Sequence, residues 1–130
     1  MMTENKLYNY LLGKWHLSFR GAQIGDSMQE DFHPDCEGKT YYQFHADQTG
    51  EDQFYIQQDG NCEEQEKGSF AWELRDNTLI RLENIAEDNL VAVAEYDILQ
   101  LSEQEMEWQI RIEADKEQEE MLYIMRWKRA

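Results

Sequence analysis

Apolar side chains fall on alternate positions through most of this chain, and short polar turns interrupt them at regular intervals. A period of two marks strands with one buried face. Eight strands are expected. The first, 14–20, sets Trp15, Leu17 and Phe19 on one face and Lys14, His16, Ser18 and Arg20 on the other. A long polar loop, 21–38, separates it from a strand at 39–46 that aligns Thr40, Tyr42 and Phe44. The turn 47–50, with Gly50 suited to a left-handed backbone, leads into 51–58, which carries Phe54 and Ile56. Keeping the apolar faces together sets Tyr42 opposite Phe54 and Thr40 opposite Ile56. The fourth strand becomes regular after Gly68, with Phe70, Trp72 and Leu74 on one face. A turn at 75–77 then leads into 78–84, pairing Leu74 with Thr78, Trp72 with Ile80 and Phe70 with Leu82. Both faces of 90–100 are apolar, and Glu95 and Asp97 assign Leu90, Ala92, Ala94, Tyr96 and Ile98 to the inside. Strands at 105–113 (Met106, Trp108, Ile110, Ile112) and 120–129 (Met121, Tyr123, Met125, Trp127) complete the set. The helical candidate is Thr3 to Leu12, with Thr3 as its cap and Leu7, Tyr8, Leu11 and Leu12 as an apolar stripe.

Strands linked by hairpins and apolar on one face bury that face by closing on themselves, which also removes the edges. The expected fold is all-β: an eight-stranded antiparallel up-and-down barrel with a short N-terminal helical turn. A sandwich is the alternative. A length of 130 residues fits one domain spanning 1–130.

Up-and-down order assigns each connection to an end. The segments 21–38, 59–66, 85–89 and 114–120 share the open end. The hairpins 47–50, 75–77 and 101–104 share the closed end with both termini. Charge then becomes informative. The net charge is −16. Asp26, Glu30, Asp31, Asp35, Glu37, Asp59, Glu63, Glu64, Glu66, Glu87, Asp88, Glu113, Asp115, Glu117, Glu119 and Glu120 gather at the open end, against the single base Lys116. That end carries −15 of the −16. Solvated loops collect charge in any protein; an acidic rim also steers cations inward and repels anions. Nucleic acid and anionic membrane surfaces are disfavoured, because both call for clustered bases, and only Arg126, Lys128 and Arg129 cluster. No apolar run reaches the length of a membrane span. The start lacks the order of a signal peptide, which predicts a cytoplasmic protein as written, and a secreted or periplasmic one if an export signal was trimmed.

At Leu12-Gly13-Lys14-Trp15 the chain resembles the lipocalins, whose recurrent Gly-x-Trp signature follows a short N-terminal helical turn. Tyr42-Gln43-Phe44-His45-Ala46-Asp47-Gln48-Thr49-Gly50 is similar to the F-x-x-D-G-T-G hairpin of small bacterial lipocalin-like (calycin) domains, with Gln48 in place of the usual glycine. Trp72-Glu73-Leu74 with Asn77-Thr78-Leu79, and Tyr96 to Ser102, resemble two further segments of those domains. The resemblance implies the barrel and an interior binding cavity. It also implies a base of the last strand, Arg126 or Lys128, over the signature Trp15 beside Gly13. No helix follows the last strand, where secreted lipocalins usually carry one.

The cavity candidates are Tyr42, Phe54, Trp72, Tyr96, Trp108 and Tyr123, inward aromatics near mid-strand that offer apolar area with a polar handle. Filling of the core is the alternative role for each. Met106, Met121 and Met125 read as adaptable core. Cys36 and Cys62 lie two strands apart at the same end, so a disulfide or a pair of free thiols both fit. His33, Asp35, Cys36 and Glu37 are metal-ligand types in a proline-containing loop without defined geometry, and no metal or cofactor is expected. His16 and His45 read as surface residues. No nucleophile, base and acid stand at catalytic spacing, and the inward faces read as nearly all apolar. The expected function is therefore a non-enzymatic binding protein for a small hydrophobic or amphipathic, non-anionic ligand. A filled barrel that acts structurally or binds proteins is the alternative, with a partner or a homodimer meeting outward Leu79, Val91, Val93, Leu99, Leu122 and Ile124.

Overall fold

Antiparallel hairpins carry the chain around a closed ring. The computed structural model describes residues 4–86, 89–117 and 119–130. The elements are α1 (Glu4–Leu11), β1 (Gly13–Ile24), β2 (Ser27–Glu30), a 3-10 turn (Glu37–Lys39), β3 (Tyr41–Phe44), β4 (Thr49–Gln53), β5 (Tyr55–Gln58), β6 (Asn61–Glu64), β7 (Gly68–Arg75), β8 (Thr78–Ala86), β9 (Asn89–Leu101), β10 (Glu105–Ile112) and β11 (Met121–Arg129). Strands β1, β3, β4, β7, β8, β9, β10 and β11 pair in that order, and β11 returns to β1 from Trp15↔Arg129 to Ile24↔Met121, closing an eight-stranded barrel. The expected cap Thr3 lies outside the described residues. No described helix is long and apolar enough to cross a membrane.

Two expectations about continuity were wrong. Much of the expected loop 21–38 is strand: β1 runs on to Ile24 and folds back into β2 around Gly25, whose φ of 58° suits glycine. The expected strand 51–58 breaks at Phe54, and β5 leaves the barrel to form a separate hairpin with β6.

Strand phase accounts for the other differences. Between Leu17 and Phe19 the β1–β11 register shifts. A bulge flips the faces beyond it, so Phe19 turns outward under Arg126 (4.7 Å) while Arg20, Ala22 and Ile24 turn inward opposite Met125, Tyr123 and Met121. A second shift, between Arg81 and Leu82 on β8 and between Ala94 and Ala92 on β9, leaves Val93 unpaired. Beyond it Val91 faces inward, whereas Leu90 and Ala92 lie outside, with Leu90 56% exposed. Leu79, expected outside, is a buried core residue opposite Leu74 and Tyr96. The β7–β8 turn is the two-residue Asp76-Asn77, with Asp76 at φ 54°, rather than a three-residue one. It pairs Leu74 with Leu79 and Trp72 with Arg81, not with Thr78 and Ile80. The β3–β4 pairing sets Tyr42 opposite Asp52, not Phe54. Gly50 does not take a left-handed backbone; Gln48 does (φ 65°). Gly50 is required for space, since a Cβ there would stand 2.6 Å from the Phe70 ring.

At the closed end α1 covers the barrel, burying Leu7 and Leu11. The last carbonyls of a helix have no partner within it. Here Trp15 Nε1 donates to Leu11 O (2.9 Å), and Arg129 donates to the carbonyls of Tyr10, Leu12 and Glu103. The Arg129 guanidinium lies 4.0 Å over the Trp15 ring. Arg126 or Lys128 was expected there, but both point outward, in step with Glu107 and Glu105. Gly13 admits Arg129: its φ is 112°, and a Cβ would meet the guanidinium at 2.8 Å. Arg129→Ala should cost about 2–3 kcal/mol in urea unfolding, combining a lost cation–π contact and the loss of charged hydrogen bonds. Arg126→Ala, on an exposed ion pair, should change stability by less than about 1 kcal/mol.

Candidate functional site

The barrel interior divides into two halves. Toward the closed end the inward residues Trp15, Phe44, Phe70, Trp72, Trp108 and Trp127 are buried and pack on one another. Tyr42 stands at the centre of this packing, within 6 Å of the rings of Phe44, Phe54, Phe70, Trp108 and Trp127. Toward the open end the inward positions behave differently. Ala22, Phe54, Val91, Ala94, Ile110, Ile112 and Met121 are only half-buried, and Tyr123, opposite Ala22 and Ile110, is 38% exposed. These inward apolar side chains are less covered than those at the closed end.

A ring of polar groups separates the halves. Arg81 on β8 projects inward beside Trp72. Its Nη1 donates to Asp52 Oδ2 and to the Tyr42 hydroxyl (3.1 Å), and its Nε donates to Glu83 Oε2 (2.7 Å). The guanidinium also stacks 4.6 Å over Phe70. The side chains of Arg81 and Asp52 are 14% and 5% exposed. Burial works against the Arg81 charge, but Tyr42 and Asp52 more than offset it, and the group is held above the ordinary arginine range. Burial, with Tyr96 adding to it, pushes the Tyr42 phenol well above its usual value, so it stays neutral. The Tyr42 and Tyr96 hydroxyls stand 3.4 Å apart.

The sequence-predicted cavity residues therefore separate. Tyr42, Trp72, Tyr96 and Trp108 belong to the packed half, with the Tyr42 and Tyr96 hydroxyls in contact beside Arg81, while Phe54 and Tyr123 stand toward the open end. The expectation of nearly all-apolar inward faces missed Arg81, Asp52, Glu83 and Arg20. Asp76-Asn77 carried the signal for Arg81. A two-residue hairpin turn favours these residue types, and that turn alone brings Arg81 opposite Trp72.

At the mouth, consecutive residues pin the β5–β6 hairpin. Cys36 and Cys62 form a disulfide, with Cα atoms 5.4 Å apart. Glu37 is 1% exposed and accepts from His33 N and Nδ1 (2.8 Å each) and from Gln57 N (2.7 Å). Burial alone would raise the Glu37 carboxyl; these hydrogen bonds outweigh it and hold the carboxyl below its usual value. Thr40 Oγ1 receives Tyr55 N at 3.0 Å. Asp31, His33 and Glu37 bring ligand atoms within 4.8 Å of one another. Asp31 is paired with Arg20 (3.1 Å), and both Glu37 oxygens are hydrogen-bonded. The rim acids Glu87 and Asp88 lie outside the described residues.

Two stability measurements follow from this geometry. Arg81→Met leaves Asp52 buried without its partner and should cost about 3–5 kcal/mol. The double variant Arg81→Met with Asp52→Leu should cost less than the sum of the single changes in a double-mutant cycle. The folded Glu37 carboxyl titrates below its ordinary 4.5. Its contribution is thus complete above that value and is lost as pH falls through the lower folded value. Glu37→Gln should cost about 1–2 kcal/mol at neutral pH and flatten this part of the acid limb of stability against pH.

Residues 11–108 match the family described as the lipocalin-like domain. No curated protein matches the chain in sequence. Among solved structures, the bovine lipocalin allergen Bos d 2 is similar at a TM-score of 0.51 and 12% identity, over 95% of this chain and 75% of that one. The odorant-binding protein from bovine nasal mucosa gives 0.49 at 14% identity, over 100% of this chain and 76% of that one. Bovine odorant-binding protein solved with its natural ligand gives 0.48 at 14% identity, over 93% and 72%. With its closed eight-stranded barrel, its Gly13-x-Trp15 start under Arg129 and a family match over most of its length, the chain belongs to the lipocalin-like domain family.

Proposed function

We propose that the protein binds a small, largely apolar, non-anionic molecule in the cup between the Arg81–Asp52 ring and the mouth. The observation that carries this reading is the exposure of inward apolar side chains there, Tyr123 above all at 38%. Desolvating such a wall is the driving force of most small-molecule sites. The floor below is filled by side chains, so the ligand sits in the upper half. Exclusion of anions rests on two features. The segments at the mouth are acidic, and the one inward cation of the ring, Arg81, is already flanked by Asp52 and Glu83. Membership of the lipocalin-like family agrees with this reading. The Cys36–Cys62 bridge favours an oxidising compartment for the mature protein.

A second reading has its own observation. Leu90, Val93 and Leu99 on β9 are 56%, 45% and 50% exposed, and exposed aliphatics on a strand invite a protein partner or a second copy.

Titration with the neutral dye N-phenyl-1-naphthylamine should give saturable fluorescence enhancement at one dye per chain. Neutral apolar competitors should displace the dye, and dodecanoate should do so at least about tenfold more weakly, about 1.4 kcal/mol. Absence of saturable binding, or displacement by dodecanoate as effective as by neutral competitors, contradicts the proposal. A monomer at all concentrations in sedimentation disfavours the second reading.

A further inference from the structure

We infer that the Arg81–Tyr42–Tyr96 chain presents one hydrogen-bond donor to the cup, so that the ligand class is a neutral apolar molecule carrying an acceptor oxygen, such as a ketone, aldehyde or ester, at its inner end. The inference rests on the binding reading above and deepens it.

Donor and acceptor bookkeeping leads to it. Arginine has only donors, so at 3.1 Å the Tyr42 oxygen accepts from Arg81 Nη1. In the 3.4 Å contact between the Tyr42 and Tyr96 hydroxyls either group can donate, and the charged bond from Arg81 makes Tyr42 the stronger donor. Tyr96 is thereby the acceptor of that contact, and its own O–H is the free end of the chain. Among the described residues no acceptor for that hydrogen is found. Tyr96 is 6% exposed and its ring is stacked on Trp108 at 4.6 Å, so the hydroxyl has little room to turn elsewhere. A buried donor left without an acceptor keeps its full desolvation cost. A ligand oxygen removes that cost, and a hydrocarbon of the same shape does not. The guanidinium at the head of the chain polarises each bond after it.

The charge of the ring sets the rest of the class. Arg81 sits between the carboxylates of Asp52 and Glu83, which leaves the cluster with one excess negative charge. A carboxylate ligand would add a third anion to one cation. A neutral acceptor needs only the O–H of Tyr96. Burial keeps the neighbouring Tyr42 phenol protonated.

The test uses a matched pair of probes, butyrophenone and butylbenzene, which differ by one carbonyl. Each is measured by displacement of N-phenyl-1-naphthylamine from the wild-type protein and from Tyr96→Phe. The variant removes one oxygen from a stacked ring and keeps the core, and thermal unfolding checks that it folds. The expected result is a rise of about tenfold in the butyrophenone Kd on Tyr96→Phe, the worth of one hydrogen bond of about 1.4 kcal/mol. The butylbenzene Kd should stay within twofold. Equal shifts for both probes, no shift for either, or failure of both to displace bound dye would overturn the inference while the binding reading stands. Failure of the dye itself to bind removes the binding reading, and this inference with it. Should Tyr96→Phe not fold, 4-phenylbutanoate against butyrophenone on the wild type decides: tighter binding of the carboxylate contradicts the inference, and weaker binding supports it.

Discussion

A guanidinium held against a carboxylate inside the barrel, Arg81 on Asp52, is the interaction on which the rest of the interior depends. Burying two charges costs several kcal/mol per ion before their attraction is counted. The pair is retained at a level where Tyr42, Glu83 and the face of Phe70 supply further contacts. Below this level the side chains, with six large aromatics among them, are buried and densely packed. Above it the inward apolar side chains, aliphatic and aromatic alike, are half-buried or exposed. The polar ring thus marks the depth at which the core stops. A filled scaffold would need no such layer, because apolar groups could continue to the mouth at lower desolvation cost.

The two ends of the molecule are held by different means. At the closed end the exposed carbonyls of α1 are capped by Trp15 and Arg129, and Gly13 makes room for the guanidinium. One short motif therefore covers the barrel, ends the helix and starts the first strand. At the open end Glu37 and the Cys36–Cys62 bridge tie the β5–β6 hairpin to the 3-10 turn. Glu37 was counted among the rim acids, yet it is buried and fully hydrogen-bonded.

The class of fold was legible in the sequence because alternation of period two persists over most strands, and because turn residues punctuate it. The Gly13-x-Trp15 signature added the family. Local phase was much less legible. A bulge inserts one residue without any signature in composition, and it reverses every face beyond it. Phe19, Leu90 and Ala92 were misplaced for that reason. Arg81 was hidden by a related error of one residue in the β7–β8 turn, which placed Ile80 and Leu82 inside instead. Arg129 was missed because the resemblance directed attention to the two bases before it. The aromatic candidates were correctly found as inward residues, but alternation cannot say how deep along the barrel axis the packing is complete. Depth comes from the closure of the sheet and from the polar layer within it.

The central claim is that the interior is closed below the Arg81 ring and wet above it. Water-to-methyl nuclear Overhauser effects on methyl-labelled protein without ligand test it most directly. The account predicts exchange with water at the inward methyls of Val91, Ile110 and Ile112, and none at Leu79, Ile98 and Leu101. Silence at all six would mean a barrel filled to its mouth, and would contradict the account.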